Sequence, residues 1–163
     1  MLETYLLLAD SEEEVNEIRT SFHGSRPPAI SISKYFKRLE SYMKCSEECY
    51  VLALIYIDRI TSRILDFKIN SLCIHRLVLT GVAVAAKFSE DRYFKNSYYA
   101  KVGGISNKEF NMLEMSFLIY LDFKLFVSAE EYEKYYKTLI TNFGVGKVNE
   151  LQEPGCDKED FAD

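Results

Sequence analysis

Lys87 and Glu114 are the ionisable residues whose surroundings make them candidates for specific chemistry. Lys87 closes the apolar run Leu77–Ala86, and Glu114 stands between Leu113 and Met115 in a segment that also carries Phe110, Met112, Phe117 and Leu118. A carboxylate among apolar neighbours needs a cationic or hydrogen-bonding partner, because burying it unpaired is costly. Two readings of the pair are open. In one it faces solvent or ties two helices together, with Lys87 complementing the negative end of its own helix. In the other both residues line a surface groove and offer a donor and an acceptor to another protein's backbone, flanked by Phe88 and Leu118. Interface cores are built this way, with aromatic anchors and a few polar groups that fix register. Asp58 and Arg59, which follow the run Tyr50–Ile57, are assigned a structural role, an ion pair or helix-end contact that pins the chain. His75 is read as a hydrogen-bonded packing residue.

Other chemistries are not spelled out. The chain has two histidines, His23 and His75, and Cys45 and Cys49 lack a second closely spaced pair, so no metal site and no cofactor are expected. Gly144-Val-Gly-Lys147 resembles a phosphate loop only in part, since Thr141 stands where the first glycine belongs and Val148 where a hydroxyl would hold magnesium. No catalysis is expected. Twenty Lys plus Arg against 25 Asp plus Glu leave a net charge of −5. That sign disfavours a chain whose affinity comes from neutralising phosphates, so no nucleic-acid partner is expected. No run approaches the about 20 apolar residues of a membrane span. Met1–Asp10 has no positive n-region, so neither membrane nor secretion is expected, and the compartment is read as cytoplasm and/or nucleus. Cys45, Cys49, Cys73 and Cys156 are then expected to be reduced, the first three as small core residues.

The elements that position these residues are read as helices. With 163 residues, 48% of them hydrophobic, the chain fits one compact domain. No Gly or Pro occurs from Ala29 to Thr80, whereas an all-β chain needs turn residues at short intervals. Ser11 with Glu14, Ser106 with Glu109 and Ser128 with Glu131 fit the capping box, and Asn70 and Asn96 are N-cap candidates. Ser46 is followed by Glu47 and Glu48, acid at the positive end of a helix dipole. Helices are predicted at 11–22, 32–43, 46–64, 71–88, 97–102, 107–121 and 129–142. Those over 71–88 and 107–121 are apolar nearly all round, which predicts two central helices wrapped by amphipathic ones. The Gly- and acid-rich stretch 143–163 is read as disordered.

Six segments in order then resemble a cyclin box. They are Ala29-Ile-Ser-Ile-Ser-Lys-Tyr-Phe, Tyr56-Ile-Asp-Arg59, Asn70-Ser-Leu-Cys-Ile-His-Arg-Leu77, Ala85-Ala-Lys-Phe88, Tyr98-Tyr-Ala-Lys-Val-Gly-Gly-Ile-Ser106 and Asn111-Met-Leu-Glu114. The Asn70 link and the Tyr-Tyr-Ala-Lys-Val-Gly-Gly stretch are similar to P/U-type cyclins of plants and to the fungal cyclin of phosphate-starvation signalling. The resemblance implies an all-α fold, a single cyclin box over 28–142 with five helices around a central one. An N-terminal helix and linker over 1–27 precede it. It implies a non-catalytic subunit that forms a heterodimer with a cyclin-dependent Ser/Thr kinase and holds the kinase's PSTAIRE-type helix in the active position. Kinase substrates or inhibitors are further partners it allows, and its outputs are phosphate signalling or cell division. A cyclin-fold scaffold or transcription-related adaptor is the alternative. By residue-wise matching, Lys87 and Glu114 fall on the kinase-binding lysine and glutamate, and Val84, Phe88, Leu118, Phe123 and Leu125 on its apolar part. Asp58 matches a structural aspartate. Two departures limit the carry-over. The chain has no tryptophan and reads Pro28-Ala-Ile-Ser-Ile where cell-cycle cyclins have a substrate-docking motif. Ser116 also stands where near relatives carry aspartate, the acidic group linked in the fungal relative to independence from loop phosphorylation.

Overall fold

The computed structural model describes residues 18–143, with side chains through Thr141. Six helices follow one another: α1 (Ile32–Met43), α2 (Glu47–Arg63), α3 (Ile74–Ser89), α4 (Asn96–Gly103), α5 (Asn107–Tyr120) and α6 (Ala129–Phe143). There is no strand among the described residues, so the fold is all-α as expected. The helix predicted over 11–22 lies outside the described residues up to position 17. Its last residues are not helical, because the Thr20 hydroxyl accepts from Phe22 N at 3.3 Å and meets His23 Nδ1 at 3.1 Å. Such local side-chain bonds compete with a helix ladder. The turn drives Phe22 into the core, edge-on to Phe117 at 6.0 Å.

α3 is the hub. From Ile74 to Ala86 every residue except Arg76 and Val78 is buried, and the helix packs against α1, α2, α4 and α5. Small residues set the closest approach: a Cβ at Gly81 would lie 3.3 Å from the Ala53 Cβ and 3.4 Å from the Phe117 ring. The Gly103-Gly104 pair has two separate causes. A Cβ at Gly103 would stand 2.2 Å from Leu79 of the hub, and Gly104 takes a φ of 72°, where glycine carries no steric penalty. The expectation of a second wholly buried helix is corrected. In α5 only Phe110, Leu113 and Phe117 are buried, while Met112, Met115 and Ile119 are more than half exposed, because neighbours cover one side alone.

The start signals resolve with similar corrections. Ser106 accepts from Glu109 N and Ser128 from Glu131 N, as a capping box requires. The carboxylates do not reach back, since Glu109 turns to Arg76 and Glu131 to Arg59. Asn70 shapes the turn before α3, its Oδ1 accepting from Leu72 N at 3.0 Å, and the helix begins at Ile74 instead of 71. Asn96 is the first residue of α4, not its cap. Ser46 makes no side-chain cap. Glu90, just past the end of α3, accepts from Ser46 N at 2.9 Å and from the Cys49 thiol at 3.4 Å, so it caps α2 from another element. The Ser46 side chain and then its backbone N–H, with a smaller part from the Cys49 thiol, hold the Glu90 carboxyl below its ordinary range. Cys49 and Cys73 are buried, Cys45 is half-buried and all three are free thiols, while Cys156 lies outside the described residues.

Arg59 and Asp58 pin the C-terminal part of the fold, each through a different partner and not through one another. Arg59 donates to the carbonyls of Lys124 at 2.7 Å and Phe126 at 3.1 Å and pairs with Glu131 of α6 at 2.7 Å. The Tyr135 hydroxyl of α6 donates to Asp58 Oδ2. Tyr56, fully buried, donates to the Leu125 carbonyl at 2.8 Å, so α2 stitches down the whole connector between α5 and α6. His75 acts as a packing residue, Nε2 donating to the Ile30 carbonyl at 2.9 Å and the ring meeting Tyr35 edge-on. Its Nδ1 is buried without a partner, and burial pulls the imidazole below its usual value of 6.5.

Replacing Arg59 with Ala is expected to lower the unfolding free energy by about 2–3 kcal/mol in urea denaturation, since several charge-assisted bonds are lost at a partly exposed site. Arg59→Lys should recover only a fraction, because an ammonium cannot span carbonyls and carboxylate as the guanidinium fork does. For His75 the native pKa lies below the unfolded one, so the unfolded state binds more protons as pH falls through about 6.5. Melting temperature should therefore drop on acidification below that pH, and His75→Gln, which keeps a donor for Ile30, should show a shallower drop between pH 7 and 5.

Candidate functional site

The two residues singled out by their apolar surroundings meet. Lys87 in the last turn of α3 reaches Glu114 of α5, Nζ to Oε1, at 2.6 Å. Asn96, at the start of α4, completes the cluster: its Oδ1 accepts from Lys87 and its Nδ2 donates to Glu114 Oε2 at 2.8 Å. The same amide nitrogen donates to Asn111 Oδ1 at 2.8 Å, one turn before Glu114 on the same face of α5. Three helix segments thus converge on one ion pair. Lys87 sits there because the hub helix ends where its apolar run ends, and Glu114 because α5 presents its half-covered side to that end.

The cluster is neither sealed nor fully solvated, with side-chain exposures of 25% for Lys87 and 17% for Glu114. An ammonium has three donors and a carboxylate about four acceptor positions, so the described bonds leave one N–H and further lone pairs unused. Asn96, bonded to both partners, fixes their relative orientation. Water is partly excluded, which makes such bonds stronger than at an open surface.

The apolar residues expected around the pair divide. Phe88 is 52% exposed and Phe123 62% exposed, while Leu118, one turn beyond Glu114, and Leu125 are half-buried. Val84 is corrected: at 3% exposure it lies in the core, since it sits on the stretch of the hub that neighbours enclose completely. Phe123 is displayed by an unusual backbone. Asp122 and Phe123 take φ of 57° and 54°, and the Phe123 N–H caps the end of α5 on the Leu118 carbonyl. Asp122 bridges Arg63 at 3.3 Å and Lys124 at 3.1 Å, which hold its carboxyl below the ordinary range.

Sequence reasoning missed Asn96 as an organising residue by reading it as a cap, and missed Met112, Met115 and Ile119 by reading α5 as buried all round. A signal for Asn111 existed in its spacing of three from Glu114. An open groove of about 900 Å³ runs between α2, the connector and α6, with Arg59, Arg63, Phe123, Leu125 and Tyr135 among its walls. Among the described residues no three His, Cys, Asp or Glu side chains gather as metal ligands, and no helix is long and apolar enough to cross a membrane.

Comparison with known proteins places the chain. The family model described as Cyclin matches residues 7–125. Cyclin-U4-1 of Arabidopsis thaliana is 48% identical over 118 residues, covering 72% of this chain and 58% of the relative. Cyclin-P3-1 of Oryza sativa subsp. japonica is 45% identical over 128 residues, 78% of this chain and 53% of the relative. PHO85 cyclin-7 of Saccharomyces cerevisiae is 40% identical over 139 residues, 77% of this chain and 49% of the relative. The chain spans about half to three fifths of the length of these relatives. With a family match over most of its residues and relatives of this similarity, the chain belongs to the cyclin family and is of the P/U type.

Proposed function

We propose that this cyclin is a non-catalytic regulatory subunit that binds a cyclin-dependent Ser/Thr protein kinase and activates it by holding the kinase's PSTAIRE-type helix in the active position. The observation that carries the reading is the partly exposed Lys87–Glu114 pair, oriented by Asn96 and bordered by the exposed rings of Phe88 and Phe123. A helix docked there offers backbone carbonyls to Lys87 and N–H groups to Glu114 and lays apolar side chains on Phe88, Leu118 and Phe123. The mechanism is positional. A kinase is active only when its own Lys–Glu pair is assembled around the ATP phosphates, and the cyclin supplies binding energy to that conformation alone. The compartment that follows is cytoplasm and/or nucleus.

The full chain, tagged and recovered from native extract, should bring down a protein kinase identifiable by mass spectrometry, and adding the chain to that kinase should raise its phosphorylation rate. Combining Lys87→Ala with Glu114→Ala should leave the circular dichroism of the cyclin unchanged and weaken kinase recovery at least about tenfold. Both residues are changed together because removing one leaves the other charge unpaired and mixes folding with binding. Full kinase activation by the double variant would remove the pair from the interface.

A further inference from the structure

The net charge of −5 is unevenly distributed along the chain. Residues 1–17 hold six carboxylates and no Lys or Arg, and residues 144–163 hold six carboxylates and two lysines. Residues 18–143 therefore carry 18 Lys plus Arg against 13 Asp plus Glu, a net +5, so the helical body is a cation. Part of that charge is neutralised locally. Arg59, Arg63, Arg76, Lys87, Lys124 and Lys137 each meet a carboxylate within 3.3 Å. Lys34, Lys37 and Arg38 of α1 and Lys101 of α4 do not; all four are exposed and none forms an ion pair among the described residues.

These four form one rigid face. At about 100° per residue, positions 34, 37, 38 and 41 of α1 fall within about 100° of each other, opposite the buried Ile32, Leu39 and Met43. Glu40 lies outside that strip. α4 is fastened alongside: the Tyr98 hydroxyl donates to the Tyr42 carbonyl at 2.9 Å, the Tyr35 hydroxyl to the Gly103 carbonyl at 3.4 Å, and Arg38 to the Lys101 carbonyl at 3.4 Å. Arg38 is the contrast to Arg59 and Arg76. It uses a guanidinium N–H on a backbone carbonyl and meets no carboxylate, which leaves the planar fork set for an anion from outside.

We propose that this α1–α4 face docks an acidic, Asp/Glu-rich extended segment of a partner protein, separately from the Lys87–Glu114 surface. Four residues of helix, about 6 Å of rise, separate Lys34 from Arg38, and alternate side chains of an extended peptide recur every about 6.6 Å, so successive acids on one side of such a segment meet successive cations. No aromatic ring stands at positions 34, 37, 38 or 41, and the exposed Tyr42 flanks the strip without interleaving its cations, which favours a peptide over nucleic acid. The proposal does not depend on which kinase, if any, binds elsewhere.

The probe is a fluorescein-labelled peptide of ten residues rich in Glu and Asp, titrated with the full chain while anisotropy is read at low and at physiological salt. Saturable binding that weakens with salt is expected. It should fall at least about tenfold in a variant combining Lys34→Glu, Lys37→Glu, Arg38→Glu and Lys101→Glu, and less than about threefold when Arg92, Lys108, Lys134 and Lys137 are reversed instead. Circular dichroism checks both variants, and Lys34→Gln with Lys37→Gln, which touches no α1–α4 bond, should weaken binding in the same direction. An absence of peptide binding by the full chain, as when its own acidic termini occupy the face, overturns the proposal. So does equal loss in the two reversal variants, or tighter binding of a labelled DNA duplex.

Discussion

Enclosure of α3 is the constraint on which the other features depend. A helix buried from Ile74 to Ala86 must be covered on every side, so α1, α2, α4 and α5 each turn an apolar stripe inward. Charge is tolerated only near its ends. Arg76 near the beginning pairs with Glu109 at 2.8 Å, and Lys87 near the end pairs with Glu114 at 2.6 Å. Both anions belong to α5, which is thus fastened to the hub at two points, about 16 Å apart along α3. The pair that orients donors toward the surface and the pair that supports the fold are two ends of one arrangement.

The half-covered state of α5 follows from that arrangement. Once its Phe110, Leu113 and Phe117 are spent on the core, Met112, Met115 and Ile119 have no neighbour among the described residues to cover them. A stripe of this kind beside a polar pair has the composition of an interface core, whereas singly scattered apolar side chains would carry no such meaning. The connector after α5 extends the same surface. Two successive left-handed residues cost about 1–2 kcal/mol each, and the bonds from Tyr56 and Arg59 to the carbonyls of residues 124–126 offset that cost while keeping Phe123 outward.

Much of this was legible in the residues. Absence of Gly and Pro over a long stretch, serines ahead of acids and an uninterrupted apolar run named the helices and the hub, because these signals are local and act through backbone entropy, capping and burial. Lys87 and Glu114 stood out because each broke an apolar pattern, and a charge there requires a partner. Where the reading went astray, the competing effect was tertiary. The capping-box glutamates Glu109 and Glu131 were diverted to arginines distant in sequence, and Val84 was enclosed by neighbours that periodicity does not count.

From its sequence alone the protein was determined as an all-α chain with an apolar run closed by a lysine, a glutamate in need of a partner, and a structural role for Asp58 and Arg59. Its tertiary structure decided that the lysine and the glutamate are each other's partners, that Asn96 orients them instead of capping its helix, and that one side of α5 is left uncovered by the other described residues. It also decided that an acidic chain presents a basic face, since net charge is a sum over the sequence while a surface potential depends on which charges the packing of α1 against α4 places side by side.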